Sequence, residues 1–302
     1  MKERYVGAVD IGGTKILTGI VDSQGKVWGE RSFPTATGPG SAEACAQLAA
    51  GSLRSLTEDL SIPFQELGGI GIACTGPVDT LSGTVENPYT LPGWEGFPLT
   101  EKLRRLTGLK VVLENDVNGA LLGEVMLRGL QQRRVLMIAF GTGIGVAVCD
   151  RGALYEAGRF HPEMGHVIVD RDGPECYCHH RGCFESLWSG ASLNQRAAQA
   201  GHKDFDHLFA QYEQDDSQAT AFMDQARHQL QNGVWNLMSI FKAELIILGG
   251  GLMKKYFKFA SEAIEADLGS LEDFTGKFEI LPAGVMGDPA LVGAARLIFE
   301  TE

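Results

Sequence analysis

DIGGTKILTGIVD (residues 10–22) and AFGTGIGVAVCD (residues 139–150) run through the same parts in the same order: strand end, Gly/Thr-rich turn, apolar strand, closing Asp. Short apolar runs on both sides of a glycine turn mark paired strands. Two related α/β lobes facing each other across a cleft would explain the echo. The plainer alternative is that Gly/Thr turns simply recur in α/β proteins, and this chain holds 39 Gly.

The pattern extends outward from these two anchors. Strands are expected over 5–11, 15–21 and 26–33, then an Ala- and Leu-rich helix over about 41–60 and a buried strand over 69–74. An amphipathic helix over 99–107, a strand over 110–114 and a helix over about 117–130 follow. The second half restarts with strands over 135–140 and 144–149, then turns mostly helical, with a long helix over about 217–242. A strand over 244–248 ends in Gly249-Gly250-Gly251, a helix begins at Leu252, and Asp288 starts a last helix, DPALVGAARLIFE, with Pro289 in its first turn. No linker or low-complexity tract intervenes, so two lobes in tight contact are expected.

The first turn, Asp10-Ile11-Gly12-Gly13-Thr14-Lys15, leads from strand into strand, so it is neither a Walker loop nor a Rossmann fingerprint. Small residues let backbone N–H groups approach phosphate oxygens, Thr14 adds a hydroxyl donor, and Asp10 at the strand end suits a magnesium ion held through water. Gly141-Thr142-Gly143 repeats that chemistry. Taken singly, each would more often be a plain hairpin; two in matching positions favour phosphate. Gly249, Gly250 and Gly251 form either a tight strand-to-helix connection or a surface for a nucleotide base or ribose.

A second concentration of chemistry is PEMGHVIVDRDGPECYCHHRGCFES (residues 162–186). His166, Cys176, Cys178 and Cys183 have the residue types and number of a closed tetrahedral Cys₃His zinc site, which leaves zinc no open position. Glu163 and Glu185 flank these ligands, so a metal that folds the loop also fixes two carboxylates. The arrangement suggests binding rather than metal catalysis; solvated surface acids are the alternative for the two Glu. The remaining thiols among the 6 Cys, Cys45, Cys74 and Cys149, sit singly in apolar stretches, which fits a reducing compartment better than a disulfide framework.

Composition narrows the partners. The 302 residues are 44% hydrophobic, and 26 Lys plus Arg against 38 Asp plus Glu give a net charge of -12 with no basic run. Such a balance disfavours nucleic acid and anionic membranes. The N-terminus lacks the apolar core of a signal peptide, and no run reaches a spanning length, so a cytoplasmic protein is expected.

DIGGTK, CTGPVD (74–79), END (114–116), FGTGIG (140–145), PEMGH, CYCHHRGC, LGGGL and DPALVGAA together resemble the ROK family of sugar kinases and related repressors, in order and over essentially the whole chain. The resemblance implies an α/β, two-lobed actin/hexokinase-like (ribonuclease H-like) ATPase fold with a deep interdomain cleft. The lobes would be 1–116 plus 288–302, the small one, and 117–287, the large one with the zinc-binding loop 163–185. In that picture the turns at Asp10 and Thr142 clasp the phosphates of ATP and the glycine triplet borders the adenosine. Asp116 is the general base that accepts the proton of a sugar hydroxyl, as phosphoryl transfer to a poor nucleophile requires. Asn115 contacts neighbouring hydroxyls. On the residues alone, Asn115 or Asp116 would merely cap the following helix.

By the same resemblance Glu163, His166 and Glu185 contact sugar hydroxyls, His166 also binding zinc through its other ring nitrogen. One departure stands out. The family pattern is C-x-C-G-x-x-G-C, whereas this chain has His179 and His180 after Cys178, leaving a Cys₂His₂ set with His180 as an alternative. The implied activity is an ATP- and magnesium-dependent hexose kinase, glucokinase-like, acting on the 6-hydroxyl of glucose. Fructose, mannose, allose, N-acetylmannosamine and N-acetylglucosamine stay open as acceptors: His161-Pro162 resembles the fructokinase branch, the C-x-C spacing the glucokinase branch. From another class, a sugar-sensing transcriptional regulator would carry a helix-turn-helix before the first strand, for which a start at Tyr5 leaves no room. Members of the family are commonly homodimers or tetramers.

Overall fold

The computed structural model describes residues 5–156, 158–284 and 288–299; residues 1–4 and the expected end of the last helix at Glu300 lie outside them. In chain order the elements are β1 (Tyr5–Ile11), β2 (Lys15–Asp22), β3 (Val27–Pro34), α1 (Ser41–Asp59), β4 (Ile70–Cys74), β5 (Val78–Asp79), β6 (Thr84–Val85), α2 (Leu99–Thr107), β7 (Val111–Asn115) and α3 (Asp116–Leu127). There follow β8 (Arg134–Phe140), β9 (Ile144–Asp150), β10 (Ala153–Leu154), α4 (Phe184–Trp188), α5 (Gly190–Gln199), α6 (Phe205–Tyr212) and α7 (Ser217–Phe241). The chain ends with β11 (Leu245–Gly249), α8 (Met253–Leu268), α9 (Glu272–Thr275), β12 (Glu279–Pro282) and α10 (Pro289–Phe299). No helix among the described residues is long and apolar enough to cross a membrane.

Contacts divide the chain into two compact units, the first made of Met1–Arg133, Cys149–Pro162 and Gly284–Glu302. Its sheet has the order β3-β2-β1-β4-β7, with β1 to β3 antiparallel and β1, β4 and β7 parallel. Side chains alternate along β1, so its two faces fill different cores. Val9 and Ile11 join Ile70, Ile72 and Leu113 under α1 and α2. Val6 and Ala8 join Leu17, Ala73, Leu291 and Val292 under α10. That second core is thin because helix meets helix and strand at glycines: a Cβ on Gly293 would overlap the Gly119 carbonyl, one on Gly123 the Pro289 carbonyl, and one on Gly71 the Ala294 carbonyl.

The second unit is Arg134–Val148 with Glu163–Ala283. The second sheet has the order β10-β9-β8-β11-β12 with β8, β11 and β12 parallel, and all of it except β10 and the end of β9 lies in this unit. Each sheet is thus a three-stranded antiparallel meander followed by two parallel strands reached by crossovers. Leu245 to Gly249 are all buried, the continuous apolar run expected of a strand covered on both faces. One face packs on α7, whose Met223, Leu230, Val234 and Leu237 recur at helical spacing. Asp216 caps that helix by accepting from the Gln218 and Ala219 N–H groups.

The units differ from the expected boundary after residue 116. Helix α3 belongs to the first unit because it packs along α10 and against β4. Residues 149–162 belong there because Phe160 bridges to Asp79, the Thr80 N–H donates to the Arg159 carbonyl at 3.0 Å, and Arg159 pairs with Asp79. Strands β5, β6, β10 and β12 were not expected; three are two residues long, and the fourth, EILP, is a partly exposed strand at the end of its sheet.

Candidate active site

Alternation along β1 puts Asp10 on the face of Val6 and Ala8, the face covered by α3 and α10. Both helices begin beside it. Asp116 is the first residue of α3, and Asp288 caps α10, accepting from the Ala290 and Leu291 N–H groups at 3.1 and 3.3 Å. Three carboxyl groups from distant parts of the chain therefore share one partly buried place. Burial, then the charges of Asp116 and Asp288, push Asp10 up to about 7, with Lys15 opposing. Burial also raises Asp116, against hydrogen bonds from the Val117 N–H and the Thr75 hydroxyl. The positive ends of two helix dipoles partly offset the repulsion.

The strand end before α3 is held by its own side chains. Asn115 Oδ1 accepts from the Val117 and Asn118 N–H groups at 2.9 and 3.3 Å, so the helix cap read from the residues is present. Its Nδ2 faces Gly76, where a Cβ would come within 2.8 Å. Glu114 accepts from the Asn115 N–H and the Asn118 amide, and burial raises its carboxyl. Nearby, Thr75 donates its N–H to the Ile11 carbonyl, and its own carbonyl accepts from Asn87, which also donates to Thr90 Oγ1 at 2.7 Å. Thr90 lies against Gly13, whose Cβ would sit 3.3 Å away. The turn closes with the Gly12 N–H on the Lys15 carbonyl at 3.0 Å, leaving Thr14 and Lys15 exposed.

In the second unit the turn between β8 and β9 closes one residue tighter, the Gly141 N–H donating to the Gly143 carbonyl at 2.9 Å with Thr142 exposed. Its surroundings are backbone. The Gly190 N–H donates to the Gly141 carbonyl at 2.8 Å, and a Cβ on Gly190 would reach within 2.9 Å of it. Gly250, at φ 86°, presses on Phe140 so closely that a Cβ would overlap its main chain, and the Leu252 N–H bonds the Phe140 carbonyl at 3.1 Å. The glycine triplet is thus packed against the end of β8, just before the turn. Glu185, in α4, accepts from the Ile144 N–H at 2.6 Å, and a Cβ on Gly143 would overlap its carboxylate.

The ligand atoms of His166, Cys176, Cys178 and Cys183 all lie within 4.8 Å of one another. Cys178 and Cys183 sulfurs are 3.5 Å apart, and His166 Nδ1 is 3.4 Å from Cys176 Sγ. Burial, then the neighbouring Cys178 and Cys176, push the Cys183 thiol up to about 12. Three crowded sulfurs and one imidazole are a donor set that a zinc ion relieves, so the residues fit the metal. His180 stands outside: its Nδ1 is 4.0 Å from Cys178 Sγ and 3.2 Å from the Cys178 carbonyl. His179 adopts φ 66°, the left-handed region where glycine is at ease, which accounts for the glycine of the family pattern. Histidine tolerates that region better than most side chains. Of the acids expected around the cluster, Glu163 is exposed, with its carbonyl accepting from the His166 N–H at 3.1 Å.

A cavity of about 430 Å³ opens beside Gly251, lined by Asn194, Asp204, Asp206, Leu252, Lys255 and Tyr256. Tyr256 donates its hydroxyl to Asp206, which also pairs with Lys255.

The model of the ROK family matches residues 6–301. The chain belongs to the ROK family. It is 30% identical to a glucokinase of Thermotoga maritima over 99% of this chain and 98% of that protein. It is 27% identical to an N-acetylmannosamine kinase of Escherichia coli O157:H7 over 96% of this chain and 97% of that one. A ROK glucokinase from Streptomyces griseus, solved with glucose and AMPPNP, superimposes with a TM-score of 0.71 at 27% identity, covering 98% and 99% of the two chains. The fold is accordingly the ROK version of the actin and hexokinase architecture, with one ribonuclease H-like sheet in each unit.

Within the ROK chain, sequence reasoning overlooked Thr75, Asp288, Tyr177 and the cavity. Thr75 and Asp288 fall inside two of the quoted motifs, CTGPVD and DPALVGAA, and the motifs were the available signal.

Proposed function

We propose that the protein is an ATP-dependent sugar kinase that transfers the γ-phosphoryl group to a hexose, with glucose as acceptor and the 6-hydroxyl as nucleophile. The observation that carries this reading is Asp116, a carboxylate raised by burial at the start of α3, beside Asp10 and in a chain of ROK membership. A general base works best with its pKa near the operating pH, and burial moves Asp116 in that direction. Asp116 accepts the proton of the attacking hydroxyl, and Asn115 Nδ2 orients the sugar while Oδ1 caps the helix.

Gly12, Gly13, Thr14 and Lys15 in the first unit and Gly141, Thr142 and Gly143 in the second offer N–H, hydroxyl and ammonium groups to phosphate oxygens. The acids suit a hard cation: magnesium, held through water by Asp10, would neutralise phosphate charge. Adenosine is assigned to Gly249, Gly250, Gly251 and the cavity beside them, which has the size of a small-molecule site. Glu163, His166 and Glu185 receive sugar hydroxyls. Zinc on His166, Cys176, Cys178 and Cys183 serves structure, tying together the loop that presents them.

A second acceptor, N-acetylmannosamine, is favoured by the relative that carries that name at 27% identity. A screen of ATP consumption over hexoses and N-acetylhexosamines tests both. Turnover with glucose far above the others is the expected result. Turnover confined to an N-acetylhexosamine would replace the acceptor, and sugar binding with no turnover would favour the sugar-sensing reading.

A further inference from the structure

Tyr177, between the first two cysteines of the metal loop, has no task in the reading above. Its side chain is half exposed, at 52%, and its ring stands edge-on to His166 with centroids 5.0 Å apart. The hydroxyl lies 3.0 Å from His166 Nε2, with the Glu185 carboxylate close by. These are two of the three side chains assigned to sugar hydroxyls, so the inference rests on that assignment.

The count of donors decides what this contact means. With Nδ1 turned to the sulfurs, the imidazole has one N–H left, at Nε2, and one N–H serves one acceptor well. Tyr177 Oη accepts it, and its own proton can turn toward the nearby Glu185 carboxylate. A sugar hydroxyl in the same place would accept and donate in the same two directions. Both cannot be satisfied at once.

We propose that Tyr177 is a displaceable stand-in for one sugar hydroxyl, which swings outward when sugar binds and so sets both the affinity and the demand for a hydroxyl at that position. Apparent affinity falls by the fraction of molecules in the competent state, so removing the competitor strengthens binding. A sugar lacking that hydroxyl leaves Tyr177 in its seat and is penalised less than it would be if His166 and Glu185 were left unpaired.

The test uses zinc-loaded wild type and Tyr177→Phe, with glucose and N-acetylmannosamine titrated calorimetrically, steady-state kinetics, and zinc content. The phenylalanine variant is expected to keep its zinc, to lower Kd and KM about 3- to 10-fold with kcat nearly unchanged, and to discriminate more sharply than wild type against one monodeoxyglucose. Should it shed zinc, Tyr177→Leu, which also lacks the hydroxyl, is read in the same way. Unchanged Kd with full zinc overturns the proposal; raised Kd overturns it in favour of a direct contact to sugar. Absence of any sugar binding by wild type is a separate outcome, which removes the kinase assignment and this inference with it.

Discussion

The two glycine turns occupy the same position in two sheets of the same strand order, and their surroundings have opposite character. The turn after β1 ends among carboxyl groups, Asp10 from the strand and Asp116 and Asp288 from two helix starts. The turn after β8 is enclosed by main chain, with Gly190 pressed against it, Gly250 against the end of β8 just before it, and a single Glu185 on one N–H. One backbone plan has therefore been loaded with charge in the first unit and with close-fitting shape in the second. Changes of charge should act on chemistry through the first turn, and added carbon atoms should act on structure through the second.

The largest effect is expected from Asp116→Asn, which keeps shape and hydrogen-bonding length but abolishes the base. Turnover should fall by about 10³-fold with sugar affinity and melting temperature nearly unchanged, and a variant with near-normal kcat would remove Asp116 from the mechanism. Next comes Gly250→Ala, which adds one carbon where the Phe140 main chain already stands and at a φ of 86°. A stability loss of about 3 kcal/mol is expected, read by denaturant unfolding; a wild-type midpoint would mean the turn has room the packing denies.

Asp10→Asn sharpens the contrast through pH. The Asp10 carboxyl is held at about 7 in the folded chain, above its ordinary 3.8. The unfolded chain thus releases this proton first, so the group's contribution to stability is fully present below pH 3.8 and is lost as pH rises toward 7. The asparagine variant should melt higher than wild type at pH 8, less so at pH 5, while losing magnesium-dependent activity. Equal differences at both pH values would count against the shared acid site. The smallest effect is expected at His179→Gly, which places the favoured residue at φ 66°. Relief of the left-handed strain against the added chain entropy should leave a gain within about 1 kcal/mol, seen as slightly slower zinc loss to a chelator.

Much of this was legible in the sequence for reasons of distance along the chain. Strand, turn and strand are neighbours, so the echo between residues 10–22 and 139–150 could be read directly, and the metal cluster could be read because its four ligands lie within one loop. Alternation along β1 even fixes which face Asp10 takes. What covers that face is a tertiary fact: Asp288 comes from the far end of the chain, and no local pattern brings it to Asp10. Tyr177 was opaque for another reason. An aromatic residue between two cysteines has no periodicity to betray its direction, and only the fold turns its hydroxyl to His166. The expected boundary after residue 116 follows a strand-to-helix junction, which looks like a seam, whereas contacts group α3 with α10.

That packing has a consequence for how the protein is made. The helix that closes over β1 and β4, meeting β4 at Gly71 and α3 at Gly119 and Gly123, follows the whole second unit in sequence. On the ribosome, where segments generally fold as they emerge, the second unit's strands and helices are complete while Val6 and Ala8 still lack α10. The sheet begun before the second unit is finished after it.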